Sequence, residues 1–584
     1  MTEISPWVSS DHTCMFKILV LLMVNSEQLP PEKLTRQLQE ISLRYGEPFR
    51  SGKIKLLGEI FAVKSWKASE ILSYHDTLLS MLAWPENKKM LELTKKTMNR
   101  LMTGVKETIA SNKWMEIKLS GTGLPGTEIT GRFSYAITRW LADKFGDEVQ
   151  LHSSEANDET VRLFFQQLMP SVEYENISSG ELDLLQRIKK LKRKNNIPDL
   201  KWLLALIETS PLTHRTKEFL FNELKIFVTW KLAHPVCNRS ILSIPVKKNF
   251  YHRNLDKTSD IKRIQKIKLP PPTRLSSAQK EHLVDVAKAT LVFLYRETDP
   301  FTFASANTVK LFRLERGISI ALYSMDAEHR LSIESYIGYL VFKNGIPVSY
   351  GGGWIFGERC QFGINILEPF RGGESAYIFS QLIRLYHQHF NVKRFVVKPY
   401  QFGKNNKEAL ESGAFWFYYK HGFRSVDVQL QKLSDNEWEK KKTDKNYRTP
   451  VDILKKFTGS NMMLAFSETA PPDFDPSSVS LAITDFINEE FNGNRMLAMA
   501  ECEKKTKEQL KIKKIISRTD LEKRAFQQWS LLTQAVLVPA AWSKKEKKQL
   551  LLLIQAKGHP DEFHFIRLLQ KHRRLWKDLT AKFS

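Results

Sequence analysis

The most informative segment of the chain is FGINILEPFRGGESAY, residues 362–377. It begins as an apolar β-type run that ends at Leu367, and a helical pattern opens after the turn Arg371-Gly372-Gly373. The first N–H groups of a helix have no partner inside the helix and carry positive potential. Glycines let this backbone approach a phosphate closely. The segment therefore predicts an anion-binding turn, although an ordinary strand–turn–helix junction stays open on these residues alone.

A second segment, about forty residues later, is GAFWFYYKHGFR, residues 413–424. Its aromatic residues follow a helical pattern, and Gly422 is predicted to end the helix as the C′ residue. A final strand is expected at Ser425–Leu430. Taken alone, the segment is typical of a core helix whose rings pack on a sheet.

Short β-type runs and helical patterns surround the two segments. Asn344-Gly345 lies between two of the runs and is a strong hairpin signal. The predicted strands are Val309–Leu314, Ile318–Met325, Tyr336–Lys343, Ile346–Phe356, Gln361–Leu367 and Arg394–Lys398, and the predicted helices are Ser276–Tyr295, Glu374–Phe390 and Glu408–His421.

In this order and spacing, the two segments resemble the GNAT superfamily of acyl-CoA-dependent N-acyltransferases. RGGESA at 371–376 corresponds to that family's R/Q-x-x-G-x-G/A pyrophosphate loop, and FYYKHGF at 417–423 to its F-Y-x-K-x-G-F ending. The tracts YGGGWIFG (350–357) and PYQFG (399–403) look like those of bacterial proteins with a GNAT-like region. The clear resemblance covers roughly a sixth of the chain, and a whole domain would cover roughly a third.

The resemblance implies a co-substrate, acetyl-CoA or another acyl-CoA, and no metal. The backbone N–H groups of Gly372–Ala376 would hold the pyrophosphate, and the strand Ile364–Leu367 would splay from its neighbour to pair with the pantetheine arm. The residues assigned to acyl-CoA are Ile366, Leu367, Arg371, Gly372, Gly373, Glu374, Ser375 and Ala376.

Two catalytic residues follow from the same resemblance. Tyr418 lies where the family often places the acid that protonates the departing thiolate. Glu368 is the candidate base for the attacking amine, because a carboxylate beside a closed cleft can have a raised pKa. The alternative for Glu368 is a surface residue before Pro369.

Two residues depart from the family pattern. Glu374 stands where the family prefers glycine, and Glu411 occupies the usual register of an asparagine, for which Asn405 and Asn406 lie upstream. Either the Glu374 side chain turns outward as a charge at the helix N-terminus, or CoA binding is altered or lost.

The composition is that of a folded, basic protein. The formal net charge is +25, and the densest basic run is Arg187–Lys194. Such an excess favours contact with polyanions, although a solvated helix face explains each run as well. The four cysteines are too few and too dispersed for a disulfide framework or a metal knuckle, which favours the cytoplasm. The apolar run Ile18–Val24 is too short to span a membrane and is expected to be a buried helix or strand.

The expected fold class is mixed α+β: a central GNAT-like mixed sheet with helices, flanked by mainly helical N- and C-terminal regions. Pro270-Pro271-Pro272 and the prolines at 471, 472 and 476 mark boundaries. The predicted domains are a helical region 1–235, a basic Pro-containing linker 236–275, a GNAT-like acyltransferase domain 276–470 and a basic helical region 477–584.

A glycine motif in the N-terminal half has the form G-x-G-x-x-G, GTGLPG at 121–126. It follows a possible strand, Trp114–Leu119, and precedes a helix, as a dinucleotide fingerprint requires. No alternating βαβ series follows it, so a structural turn is favoured over dinucleotide binding.

The leading function is an acyl-CoA-dependent N-acyltransferase. Its amine acceptor stays open between a protein, a small metabolite and an aminoacyl-tRNA. A non-catalytic GNAT-fold ligand-binding or scaffold protein is the alternative, and association of the basic helices with nucleic acid is a third possibility.

Overall fold

The computed structural model describes residues 29–63, 66–175, 180–233, 237–257, 260–466, 475–512 and 519–583. The run Ile18–Val24 and the prolines at 471 and 472 lie outside the described residues. The chain divides into two compact units. The first comprises Met1–Ile129, Lys231–Ile241 and Asn249–Leu255, and the second comprises Thr130–Trp230, Leu242–Lys248 and Asp256–Ser584.

Amphipathic helices form most of the first unit. They are α1 (Pro31–Ser42), α2 (Phe49–Phe61), α3 (Ala68–Ala83), α4 (Lys88–Ser111) and α5 (Lys113–Leu119). The possible strand Trp114–Leu119 is therefore wrong. Asn112 caps α5 by accepting the N–H groups of Trp114 and Met115, and Met115 and Leu119 lie one turn apart on its buried face.

The glycine motif at 121–126 forms a turn whose backbone is used inside the first unit. The Gly121 N–H donates to the Glu128 carbonyl oxygen at 2.8 Å, and the Gly126 N–H donates to the Leu232 carbonyl oxygen at 3.0 Å. Both glycines have positive φ angles, which L side chains rarely adopt. These contacts favour the structural turn.

Helices and three short strands span residues 128–231. They are β1 (Glu128–Gly131), α6 (Tyr135–Phe145), β2 (Val149–Ser154), α7 (Asp158–Leu168), α8 (Ser171–Tyr174), α9 (Leu184–Lys192), α10 (Asp199–Glu208), α11 (His214–Glu223) and β3 (Ile226–Lys231). β2 and β3 pair antiparallel. β3 lies in the region 1–235 that was predicted to be mainly helical. It is a strand because the β-branched and aromatic run IFVTWK buries most of its side chains in that form.

A second, larger sheet dominates the second unit. Its strands are β4 (Lys310–Arg313), β5 (Ile318–Ser324), β6 (Ser335–Lys343), β7 (Ile346–Phe356), β8 (Arg359–Ile366), β9 (Arg394–Val397), β10 (Arg424–Ser425) and β11 (Met462–Ala465). The order is β10-β11-β9-β8-β7-β6-β5-β4. Every neighbouring pair is antiparallel except β8 and β9, which run parallel. The prediction of a mixed α+β fold is confirmed.

Helices cover both faces of this sheet. They are α12 (Ile261–Ile264), α13 (Ser277–Val292), α14 (Asp299–Thr302), α15 (Ser375–Phe390), α16 (Lys407–Glu411), α17 (Ala414–Lys420), α18 (Val428–Thr443) and α19 (Val451–Phe457). On one face, Leu291 of α13 packs in a cluster with Leu340 and Tyr350. On the other face, Tyr386 of α15 contacts the ring of Phe362.

The end of the sheet differs from the expectation. The predicted strand Ser425–Leu430 is wrong beyond Ser425, because Asp427 accepts the Leu430 N–H at 2.8 Å and caps α18. β11, which the sequence did not indicate, fills the place between β9 and β10. The predicted helix Glu408–His421 is two helices, because Gly413 takes a φ of +65° between them.

The segment before α13 packs on the second unit and is not a free spacer there. The Thr273 N–H donates to the Leu311 carbonyl oxygen at 2.7 Å. The buried Arg384 guanidinium donates to the carbonyl oxygens of Ile267 and Lys268 at 2.9 Å and 2.8 Å.

Helices also form the C-terminal region. They are α20 (Pro476–Phe491), α21 (Arg495–Gln509), α22 (Asp520–Ala535), α23 (Lys544–Gly558), α24 (Glu562–Lys571) and α25 (Arg573–Phe583). Phe356, at the end of β7, belongs to the same buried cluster as Trp529 and Phe565 of these helices. The region therefore shares a core with the sheet. Among the described helices, none has the length and apolarity needed to cross a membrane.

Candidate active site

The parallel strands β8 and β9 diverge along their length. They share three register pairs, the last of which is Gln361↔Val396. β8 continues to Ile366 and stays paired with β7 as far as Ser349↔Ile366. Residues 362–366 therefore have no strand on their β9 side within the described part of the chain. Such an edge leaves backbone groups free to pair with an extended ligand.

The predicted glycine turn lies at the end of this free edge. A short 3-10 turn, Glu368–Phe370, leads to Gly372, whose φ is +89° and whose surroundings are open. α15 then begins at Ser375. Within the described residues, the N–H groups of Ser375, Ala376 and Tyr377 donate to no backbone carbonyl. They are free donors at the positive end of a 16-residue helix.

The side chain of Glu374 turns into the protein, which neither sequence alternative foresaw. It is fully buried, and its carboxylate pairs with the Lys343 ammonium and the Arg316 guanidinium. It also accepts the Asp256 N–H at 2.9 Å. Two cations thus stabilise the buried charge, and the outer surface of the turn carries no carboxylate from this position. Burial lowers the pKa of Lys343 to about 8, against the opposing effect of Glu374.

Arg371 and Glu368 lie on the exposed side of the turn. Arg371 Nη2 is 2.7 Å from Glu408 Oε1 of α16, and both side chains are exposed. Glu368 is also exposed, and in the described part of the chain its carboxylate makes no hydrogen bond or ion pair. The dry surroundings expected for a general base are therefore absent at Glu368, and its role stays a prediction.

Tyr418 lies on the α15 face of the sheet. It is 2% exposed, and its ring contacts those of Phe379, Phe402 and Phe423. Burial raises the pKa of the Tyr418 phenol. Burial and then the nearby Tyr418 also raise the pKa of Tyr339.

Tyr339 contacts the part of β8 that lies beyond its last pair with β9. The Tyr339 hydroxyl donates to the Gly363 carbonyl oxygen at 2.6 Å. It reaches that atom across Gly351, where a Cβ would lie 2.4 Å from the Tyr339 oxygen. Tyr418 influences the pKa of Tyr339, and Tyr339 in turn contacts the part of β8 that has lost its β9 partner.

The ends of α17 and α15 are linked by one side chain. His421 Nε2 lies 3.2 Å from the carbonyl oxygen of Ala376, and His421 Nδ1 lies 2.7 Å from that of Phe417. Gly422 has a φ of +88° and follows α17 as the predicted C′ residue. The Phe423 N–H donates to the Tyr418 carbonyl oxygen, which completes a Schellman motif.

A cavity of about 720 Å³ opens on the opposite face of the sheet. It is lined by Gln361, the last residue of β8 paired with β9, and by Lys398, which directly follows β9. Trp354 of β7 forms another wall and stacks on Tyr336 with ring centroids 3.8 Å apart. The cavity therefore begins where the two strands start to diverge.

The cavity contains a carboxylate that sequence reasoning missed. Glu334 lines it, and burial raises the pKa of the Glu334 carboxyl against the opposing Arg359 cation. Within the described residues, this carboxylate has no hydrogen-bond partner. Lys398 Nζ lies 3.5 Å from Asp475 Oδ2 in the same cavity. No motif marks Glu334, because its position depends on strands distant in sequence.

The densest basic run is only partly a free cationic surface. Arg187 is fully buried and pairs with Asp158 at 2.5 Å. Lys192 pairs with Asp199 at 2.5 Å. Lys189 and Lys190 are exposed. Arg193 and Lys194 are exposed as well, so the run combines a packed helix face with an exposed basic one, and polyanion contact stays a prediction.

Comparison of the chain with protein-family models, with curated proteins and with solved structures finds no match in any of the three.

Proposed function

We propose that the second unit is an acyl-CoA-dependent N-acyltransferase of the GNAT type. The observation that carries the proposal is the divergence of β8 from β9, directly followed by a glycine turn with free helix N–H groups. A free strand edge suits the amide-bearing pantetheine arm, and a helix N-terminus suits a pyrophosphate. The free edge of β8 and the glycine turn follow one another along the chain. The pantetheine arm and the pyrophosphate follow one another in the same order along CoA.

The inward position of Glu374 supports the proposal. A carboxylate facing the turn would repel a pyrophosphate, whereas here Lys343 and Arg316 neutralise it inside the protein. Arg371 remains at the surface beside the turn and can exchange Glu408 for a phosphate oxygen.

Where β8 and β9 diverge, the two faces of the sheet suit two different steps of the reaction. Tyr418 lies on the α15 face, and the cavity with Glu334 lies on the other face. The amine nitrogen would attack the thioester carbonyl carbon from the cavity, forming the C–N bond while the C–S bond breaks. Tyr418 would give the leaving sulfur a proton, directly or through water, and a carboxylate would take the proton of the amine.

Two carboxylates compete for the role of base. Glu368 ends the β8 segment but is exposed, whereas Glu334 lines the cavity and burial raises its pKa. A base works best when its pKa is near the working pH. We therefore assign the role to Glu334, with Glu368 as the alternative, and comparison of Glu334→Gln with Glu368→Gln distinguishes them.

Calorimetric titration of the full chain with acetyl-CoA and with a longer acyl-CoA tests the proposal. The test variant is Ser375→Asp at the first position of α15, and the matched control is Ser277→Asp at the first position of α13. An acidic residue at a helix N-terminus favours the helix, so both variants should fold. We expect Kd values on the order of micromolar for the wild type and the control, about −8 kcal/mol, and at least tenfold weaker binding in Ser375→Asp.

Failure to bind either thioester by a folded chain would reject the cofactor site. Binding that persists unchanged in Ser375→Asp would place CoA elsewhere. Binding without transfer to any amine would instead favour the non-catalytic ligand-binding alternative.

A further inference from the structure

Two histidines and a glutamate, none of them part of the proposed acyl-CoA site, lie close together. His214 and Glu218 lie one turn apart on α11, and His329 lies in the connection between β5 and β6. One possible ligand atom from each residue lies within 4.8 Å of the others. All three residues belong to the second unit. No sequence motif joins them, and no metal was expected from the sequence.

The ring of His329 is held in a defined orientation. Its Nδ1 lies 2.7 Å from Asp326 Oδ1, and Phe303 stacks on it with ring centroids 3.8 Å apart. Its Nε2 therefore points towards His214 Nδ1, at 3.1 Å. A carboxylate that fixes one imidazole nitrogen while the other binds a metal is a recurring arrangement in metalloproteins.

Glu218 provides a second, independent observation. Its Oε1 is buried and has no hydrogen-bond partner within the described residues. Buried polar atoms nearly always have a partner, and an exception indicates an ion or a water. A proton shared between His214 and His329 leaves Glu218 unsatisfied, whereas a cation would satisfy all three groups.

We propose that His214, Glu218 and His329 bind one divalent transition-metal ion. Two imidazoles and one carboxylate are the ligands of many zinc sites that keep an open position. Tetrahedral zinc with Zn–N bonds of about 2.0–2.1 Å holds its two nitrogens about 3.3 Å apart. The observed 3.1 Å between His214 Nδ1 and His329 Nε2 requires only a small adjustment.

The two histidines of the cluster lie at the wall of a cavity of about 410 Å³. The charged residues of its lining are three cations and two carboxylates: Arg139, Lys144, Lys288, Asp143 and Asp326. A ligand that reaches the ion from this cavity is exchangeable, as in zinc sites that keep an open position. This inference does not depend on the acyltransferase proposal.

Titration of the metal-free full chain with Zn²⁺ alone, and in parallel with Co²⁺ alone, tests the site. We expect one tightly bound equivalent of Zn²⁺ and a visible Co²⁺ absorption band typical of four or five ligands. The variants His329→Asn and Glu218→Gln should each weaken Zn²⁺ binding at least tenfold. The matched control is His564→Asn, because His564 is an exposed histidine outside the cluster.

Thermal unfolding of each metal-free variant separates loss of ligands from loss of fold. If His329→Asn unfolds, Glu218→Gln carries the test, because it keeps the shape of the side chain. A wild-type chain that binds no Zn²⁺ would overturn the proposal, and so would a stoichiometry and affinity unchanged in both variants.

Discussion

His421 Nε2 contacts the carbonyl oxygen of Ala376 at 3.2 Å, although the two residues are 45 positions apart in sequence. Ala376 lies in the first turn of α15, and His421 caps the C-terminal end of α17. One imidazole thus connects the glycine turn proposed to bind pyrophosphate with the helix that carries Tyr418. Displacement of either helix would change the distance between the two parts of the site.

Replacement of His421 by alanine should destabilise the protein. His421 is 3% exposed, and its single N–H donates to the carbonyl oxygen of Phe417 or of Ala376 according to the tautomer, so the substitution removes one buried hydrogen bond and the packing of the ring. We expect the free energy of unfolding to fall by about 1–3 kcal/mol, measured by urea denaturation. His564→Ala, at an exposed position, should change it by less than about 0.5 kcal/mol. Equal stabilities of the two variants would contradict the proposed link.

Replacement of Glu374 by glycine, the residue that the GNAT pattern prefers, should weaken the fold. It leaves the fully buried Lys343 without its carboxylate. Breaking a buried pair on one side typically costs about 3–5 kcal/mol. The exposed pair of Arg371 and Glu408 offers a control, because Glu408→Gln should cost less than about 1 kcal/mol. Urea denaturation measures both variants, and a neutral Glu374→Gly would show that the buried charge is not needed.

Arg371 should contribute to acyl-CoA affinity through its charge. We expect Arg371→Ala to weaken acetyl-CoA binding about tenfold, equivalent to about 1.4 kcal/mol. Glu408→Gln removes the carboxylate that competes for Arg371, and it should strengthen binding about threefold. Calorimetric titration at low and high salt checks both values. Unchanged or tighter binding in Arg371→Ala, together with unchanged or weaker binding in Glu408→Gln, would exclude direct contact of Arg371 with a phosphate.

Tyr418→Phe should reduce acyl transfer without changing the affinity for acyl-CoA. The substitution removes a hydroxyl and keeps the ring that packs against Phe379 and Phe423. General acid catalysis is typically worth about 10²–10⁴-fold, and we expect a loss of kcat of at least about 100-fold. The measurement is thiol release from acetyl-CoA with a panel of primary amines. Tyr419→Phe is the matched control, because the Tyr419 hydroxyl donates to Asp435, outside the proposed site.

The pH dependence of stability should contain a contribution from His389. Burial, and next the Lys310 cation, lowers the pKa of His389 to about 4. The unfolded chain therefore binds this proton more readily than the folded protein, and stability falls as pH drops from about 6.5 towards about 4. Between pH 7 and pH 5 we expect a loss of about 2 kcal/mol. His389→Gln should remove it, and His564→Gln should not, as measured by urea denaturation at both pH values.

The sequence predicts those parts of the site that depend on neighbouring residues. Gly422 and the hairpin at Asn344-Gly345 lie where they were expected, because positive φ angles and turn chemistry are local. The strand–turn–helix at 362–377 is also present, since a β-type run, two glycines and a helical pattern follow one another directly.

Features that depend on distant residues could not be read from the sequence. The orientation of Glu374 is decided by Lys343 and Arg316, which are 31 and 58 positions away. The pairing of His214 with His329 spans 115 positions. β11 has only four residues, and its place beside β9 is set by the whole sheet. The spacing of His214 and Glu218 on one helix face was the one local signal of the proposed metal site.

The 720 Å³ cavity takes its walls from several parts of the chain, among them the sheet, α20 and α22. Gln361 belongs to β8, Ser480 and Ile483 belong to α20, and Gln528 and Trp529 belong to α22. If amines enter there, substitutions in α22 can change which amine is accepted while the glycine turn stays intact. Related proteins could then share the glycine turn and differ in the amine that they accept. A fragment ending near residue 470 would keep the glycine turn but lack the wall of the cavity that α22 provides.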